Sequence, residues 1–500
     1  MQMRKGLPFH SMNPPLRSSG GHQVGLVAAR ELLLLLLLLA AYGVSIEVSS
    51  QQNYYFINVA GPSALIGILM LGAWWQIARE PRALWQPLFW FRIACSAYYG
   101  IGALVPYIAN DVTVQNIKRY YWFSEEEAFT VGVINLLSII VVLTTAWLIS
   151  RRRAITETTA PKADASAQSR TLLFAAIFLI GGGIMRYLVV LPVALGLIDL
   201  VPGVIIPLAK SYIVGLYLLV LAGMRGNRTA AGLAAVLVPI DLAVGLLTFA
   251  KSEVLLTLIF TYLGVLHHKL TLPRVIVGLV IILGVYGQLD PIIHFGRDEL
   301  LRRHQALTAP LDERIEIMGS YTGTEWEGTE RAENQPALSR LSYLHVAAMV
   351  VTWHDTGRTG DSLSYALTVL VPRFIWPDKP IITSVGTDLS LAASGNVGSS
   401  ISPGLFAEAY WNLGWLGIPI LMVPLGCILT VFSRYSLNVM REENWLHLPP
   451  VLLGVLAGVR VDGFFVADII GGSATALVYA LLAFALDGSL NRRSPKAPPR

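Results

Sequence analysis

The chain has 500 residues, 54% of them hydrophobic and 14% charged, with a mean hydropathy of +0.59. Soluble chains carry about a quarter charged residues, so an ordinary soluble globule is excluded and a polytopic membrane protein is indicated. The net charge of +5 comes with no basic soluble domain, which argues against nucleic acid as a partner.

Residues 1–30 read as a cytoplasmic tail with Arg4, Lys5 and Arg17. The unbroken run Leu32–Leu39 then opens the first span. Ala41-Tyr42-Gly43 faintly resembles a signal cleavage site, but the leader is long and more spans follow, so an uncleaved first span is the better reading. With this first run at 31–47, apolar runs able to cross ~30 Å of hydrocarbon follow at 55–78, 84–108, 126–149, 171–198, 204–223, 229–250, 252–267, 275–290, 404–432, 447–467 and 469–487. The sequence thus predicts an all-α integral membrane protein with about twelve transmembrane helices, spans one to nine within 31–290 and ten to twelve within 404–487. The pair 229–250 and 252–267 is cramped, and reads as two short helices meeting near Lys251 or as one broken element. Cys95 and Cys427 sit in apolar runs and have neither a disulfide framework nor metal-ligand spacing.

Lysine and arginine in the short loops orient the chain. With the N-terminus inside, the inner loops hold Arg79 and Arg82, Arg151-Arg152-Arg153 with Lys162 and Arg170, Arg225 and Arg228, Lys269 and Arg274, and Arg434 and Arg441. The short outer loops hold Lys118 and Arg119. This gives cytoplasmic N- and C-termini. The linker 154–169 and the Pro-containing part of the cytoplasmic tail 488–500, after Ser489, read as unstructured.

The excursion 291–403 then falls outside the membrane. Connections this long are functional or disordered, and this one has the composition of a folded loop. It carries Trp326, Trp353 and Trp376, and in Leu338–Trp353 the residues Leu341, Leu344, His345 and Met349 recur at helical spacing.

Several charges lie inside spans: Arg186 in the fifth, Lys210 in the sixth, Lys251 and Glu253 at the hairpin between the seventh and eighth, and Arg460 with Asp462 in the eleventh. A charge in the bilayer costs at least ~2.5–3.5 kcal/mol and tends to mark function. Gathered under the outer loop, these cations suit an anionic head group such as a diphosphate. Internal pairing, for instance Arg460 with Asp462 or Asp468, is the plainer alternative.

The outer loop adds Arg297, Arg302, Arg303, Arg314, Arg331, Arg340, Arg358, Arg373 and Lys379, with acids interleaved as on a solvated surface. Arg340 joins the candidate substrate-binding residues. Arg373 and Lys379 differ, because Pro372, Pro377 and Pro380 stiffen the backbone around them, and the arginine fork grips phosphate at two points. A Pro/Trp interface anchor is the alternative. Candidate acids and bases are His345, the adjacent His354-Asp355, Asp361, Asp378, Asp388 and Glu408, since a positioned His or carboxylate can activate a hydroxyl. Glu408 follows the helix start Ser402-Pro403, where a plain interfacial acid is equally at home. No metal-binding motif stands out, and no cofactor is expected. Gly386, Gly395, Gly398 and Gly404 with Ser399, Ser400 and Ser402 make a mobile loop over a substrate or a flexible connector.

The run Pro372-Arg373-Phe374-Ile375-Trp376-Pro377-Asp378-Lys379-Pro380, the Gly/Ser stretch, and Pro403-Gly404 leading to Glu408 and Asn412-Leu413-Gly414-Trp415-Leu416-Gly417 resemble the Wzy-type O-antigen and repeat-unit polysaccharide polymerases. The resemblance covers about 45 residues, with the many-span, one-large-loop architecture around them. It implies a GT-C-like membrane glycosyltransferase of polysaccharide or lipopolysaccharide biosynthesis. Such an enzyme moves a glycan from its polyprenyl-diphosphate (undecaprenyl-diphosphate) carrier onto the next lipid-linked oligosaccharide unit at the outer face. It also implies a flippase and a chain-length regulator of the same pathway as partners, and diphosphate or acceptor contact for Arg373, Lys379 and Glu408. In that reading Arg373, helped by Lys379 and by Arg186 or Lys210, holds the donor diphosphate, while Glu408 or His354-Asp355 activates the acceptor. An O-antigen ligase would share the architecture. A transporter or flippase is the non-enzymatic rival.

Overall fold

A computed structural model of the chain describes residues 20–48, 54–151, 165–198, 205–304, 308–321, 336–371, 375–376, 378–380, 383–394 and 400–493. Arg373, Trp326, Arg331, most of the linker 154–169 and the Gly/Ser stretch 395–399 lie outside these residues. The described chain is all-helical, and ten of its helices are long and apolar enough to cross a membrane.

Twelve helical segments run along the bundle. They are α1 (Gly20–Val48), α2 (Tyr55–Arg79), α3 (Pro87–Ile108), α4 (Glu125–Arg151), α5 (Ala167–Ala194), α6 (Ile205–Met224), α7 (Arg228–Leu247), α8 (Lys251–His268), α9 (Leu272–His304), α10 (Gly417–Glu442), α11 (Leu448–Val459) and α12 (Phe465–Asp487). Two of the twelve expected spans therefore fall short of the criterion. α8 is a full helix, but it opens on Lys251 and Glu253 and closes on His267-His268, which leaves a shorter apolar middle. α11 has only 12 residues, or roughly 18 Å at 1.5 Å per residue. The cramped pair resolves as two helices, turning through Thr248–Ala250 with the buried Phe249 at φ +50°.

The segments alternate in direction as the loop charges require. At one end Arg441 pairs with Glu80 at 2.6 Å and Arg225 with Glu443 at 2.5 Å. There too Arg434 donates to the Ile149 carbonyl at 2.7 Å, the Trp445 indole to Thr171 at 3.0 Å, and Asn444 to Asp487 at 3.3 Å. The helix ends around Glu80, Ile149 and Thr171, Arg225, and Arg434–Trp445, from four of the loops assigned to the inner side, thus meet at one end.

The opposite end collects the outer excursion. α9 continues to His304, so the excursion starts later than residue 291. The helix Leu311–Ser320 docks through Arg314, which is 0% exposed. Its guanidinium donates to the carbonyls of Ala194 at 2.6 Å, Leu247 at 3.0 Å and Ala309 at 3.0 Å. It satisfies carbonyls at the ends of α5 and α7 that have no partner within their helices. Arg314 therefore does not belong to the solvated surface expected of the outer arginines; Arg302 and Arg303, exposed and paired with Glu299, do. The helical spacing around His345 becomes a helix at Leu344–Asp355, buried along Val346–Val351 against α4.

The run after Pro403 does not make one straight span. A half-helix, Leu405–Leu413, turns at Gly414 and folds back beside the start of α10. Gly414 sits at φ +60°, which strongly favours glycine. A Cβ on Gly417 would collide with the Ala409 carbonyl, so glycine there permits the tight hairpin. The half-helix starts deep in the bundle: Phe406 stacks on Tyr99 at 4.5 Å, and the Leu405 amide donates to the Val461 carbonyl at 3.0 Å.

Candidate functional site

Val461 belongs to the break between α11 and α12. The chain leaves helix at Arg460 and re-enters it at Phe465. Irregular backbone inside a membrane bundle is tolerated only where protein buries it or it lines a wet cavity. Tyr99 closes one side by donating to Val461 O at 2.5 Å. Glu408 closes another. Its Oε2 accepts from the Phe465 amide at 2.6 Å and its Oε1 from the Ser362 hydroxyl at 2.6 Å, while Asn412 donates to Ser362 at 2.9 Å.

Three spans carry a π-helical turn: Ser96–Ile101 in α3, Arg186–Val190 in α5 and Phe465–Gly471 in α12. Such turns re-aim side chains and are frequent at functional sites. Here they present Tyr98, Arg186 and Asp468 toward one polar region at the outer-loop end.

The first part of that region is a closed network. Arg186 pairs with Asp241 at 2.7 Å and with Glu253 at 2.5 Å. Asp241, 1% exposed, also accepts from Tyr187 at 2.9 Å and Thr257 at 2.6 Å. Lys251 pairs with Asp290 and contacts His294.

The second part is open. Lys210 lies within electrostatic reach of Glu253, Arg460 and Arg186, yet makes no ion pair or hydrogen bond among the described residues. Arg340, exposed, meets His294 at 3.5 Å and acts electrostatically on Lys251, Tyr286 and Tyr343. Arg460 pairs with Asp468 at 3.3 Å, with half of its side chain (52%) exposed. Asp462 interacts with the hydroxyls of Tyr98 and Tyr343, the latter at 3.4 Å. Burial, and then the Asp462 charge, push the Tyr343 hydroxyl up in pKa, so it stays a donor.

The structure therefore brings together Arg186, Lys210, Arg340 and Arg460 of the residues nominated from sequence, with Arg186 already neutralised. Glu408 lies directly behind the break, 0% exposed, with both oxygens engaged. His354 and Asp355 do not bond each other. His354 Nδ1 meets the Trp411 carbonyl at 3.0 Å, and Asp355 accepts from Tyr410 at 2.8 Å. Both fasten the far end of the half-helix. Lys379 points its ammonium at the carbonyls of Val371, 2.8 Å, and Thr368, 3.4 Å. Arg373 lies outside the described residues.

Sequence reasoning noted Asp462 only as a partner for Arg460, and it passed over Tyr98 and Tyr343. Asp462 carried a signal: it is an acid in an apolar stretch, two residues from an arginine. The tyrosines carried none, because an intramembrane tyrosine has no distinguishing pattern.

Compared with protein-family models, curated proteins and solved structures, the chain gives no match in any of the three.

Proposed function

We propose that this protein is a membrane glycosyltransferase that polymerises polyprenyl-diphosphate-linked oligosaccharide units at the outer face of the bacterial inner membrane, with both termini cytoplasmic. The observation that carries the reading is the convergence of Lys210, Arg340 and Arg460 on one broken-helix region beneath the outer excursion. Cations without full internal neutralisation are costly in a bundle unless an anion uses them. A lipid diphosphate supplies that anion from within the bilayer. In transfer, the same cations stabilise the charge that develops on the leaving diphosphate. The local likeness of the Pro372–Gly417 region to Wzy-type polymerases supports the same reaction. A flippase that delivers the units and a chain-length regulator are the implied partners.

The interrupted α11–α12 pair and the half-helix also suit transport, because transporters build midplane sites from discontinuous helices. The lipid-linked glycan profile of cells lacking the protein separates the readings. Polymerisation predicts collapse of a ladder to a single unit on its carrier at the outer face. Long chains accumulating on the carrier would indicate a ligase, and units held at the inner face a transporter.

A further inference from the structure

The carboxylates around the break are not equivalent. Asp241 and Glu253 are held by Arg186, Asp290 by Lys251, and Asp468 by Arg460 together with the Phe464 amide at 3.0 Å. Glu408 is sealed behind the break. Asp462, like Glu408, has no ion pair among the described residues, but unlike Glu408 it is not sealed from the region. It is half-buried, it stands on the irregular backbone itself, and its partners are two tyrosine hydroxyls. Lys210, Arg340 and Arg460 surround the same region. A carboxylate held by neutral donors keeps lone pairs available, whereas one locked to a guanidinium does not.

We infer that Asp462 is the general base of the transfer reaction, with Tyr98 and Tyr343 as its positioning residues. This rests on the glycosyltransferase reading. The acceptor sugar hydroxyl gives its proton to Asp462 while its oxygen forms the new bond to the donor's anomeric carbon. The bond from that carbon to the diphosphate oxygen breaks, and its electron pair leaves with the diphosphate, beside the cations. Protonated Asp462 then releases the proton to water or to the departed diphosphate. A single displacement of this kind inverts the anomeric centre, so the new linkage has the configuration opposite to the donor's.

The test uses full-length protein in membrane vesicles from deletion cells complemented with Asp462→Asn or Asp462→Ala. Chain extension is read from the glycan ladder, and lipid-diphosphate binding with farnesyl diphosphate as probe. General-base catalysis contributes about 10²–10⁴-fold. Asp462→Asn should therefore lose at least about 100-fold in extension while holding farnesyl diphosphate within about twofold of wild type, which is under 0.5 kcal/mol. Added formate should restore part of the Asp462→Ala rate, which a structural role would not allow. Full extension by Asp462→Asn overturns the assignment and leaves the polymerase reading standing. Joint loss of binding and extension without formate rescue also overturns it and makes Asp462 structural. A deletion strain that keeps its ladder overturns the polymerase reading itself.

Discussion

Glu408 Oε2 accepts a hydrogen bond from the Phe465 amide at 2.6 Å, across 57 positions of sequence. That bond fixes where α12 restarts, and so the height at which Arg460 and Asp462 stand. Glu408→Ala leaves the Phe465 amide and the Ser362 hydroxyl without their acceptor in a fully buried site. Each orphaned group costs about 1–3 kcal/mol. The variant should lose several degrees of melting temperature in detergent, and extension should fall in proportion to folded protein. A fully stable but inactive Glu408→Ala would return Glu408 to the chemistry.

Arg186 and Asp241 make a second test of which charges are structural. Arg186→Ala strands a carboxylate that is 1% exposed. Breaking a buried pair from one side costs about 3–5 kcal/mol, whereas replacing both partners with apolar residues is often neutral. Arg186→Ala should sharply reduce folded yield, and Arg186→Met with Asp241→Leu should recover most of it. If the single variant folds as well as wild type, Arg186 is free to serve a substrate after all.

The span pattern was legible because hydrocarbon thickness and loop arginines constrain it directly. The inner-loop pairs, such as Arg441 with Glu80, lie together as their charge asymmetry implies. The break at Arg460 was hidden, because Gly454–Val459 and Phe464–Ala467 are both apolar and read as parts of one span, 447–467. What interrupts them is tertiary: the Val461 carbonyl is satisfied by Tyr99 and the Leu405 amide, residues remote in sequence. The same limit applied to Glu408 and His354-Asp355. Their residue types suit catalysis, and only the fold reveals that Phe465, Trp411 and Tyr410 occupy them.

His345 gives a pH dependence with a defined sign. It sits at the start of the helix Leu344–Asp355, and shelter from water pushes its imidazole down to about 4. An unfolded chain takes up this proton once pH falls below about 6.5. Between those values the unfolded state holds more protons, so stability rises with pH across the window and is lost as pH drops through it. Melting temperature in detergent should fall between pH 6.5 and 4, and His345→Gln should flatten that decline. An unchanged slope in His345→Gln would assign the acid sensitivity to other groups.

Lys210 and Arg340 separate substrate cations from structural ones. Neither neutralises an acid of the protein through an ion pair, so Lys210→Ala and Arg340→Ala orphan no carboxylate and should leave folded yield unchanged. A charge-assisted hydrogen bond is worth about 1.5–3 kcal/mol, or roughly ten- to a hundredfold in Kd. Each variant should weaken farnesyl diphosphate binding by that factor and shorten the glycan ladder. Arg302→Ala is the control, because Arg302 is exposed and paired with Glu299 at 2.6 Å; it should bind within twofold of wild type. Arg373→Ala, nominated by its proline-stiffened backbone, belongs in the same assay. If binding survives in Lys210→Ala and Arg340→Ala but fails in Arg373→Ala, the diphosphate is held by the outer loop, and the cations at the broken helix are not its seat.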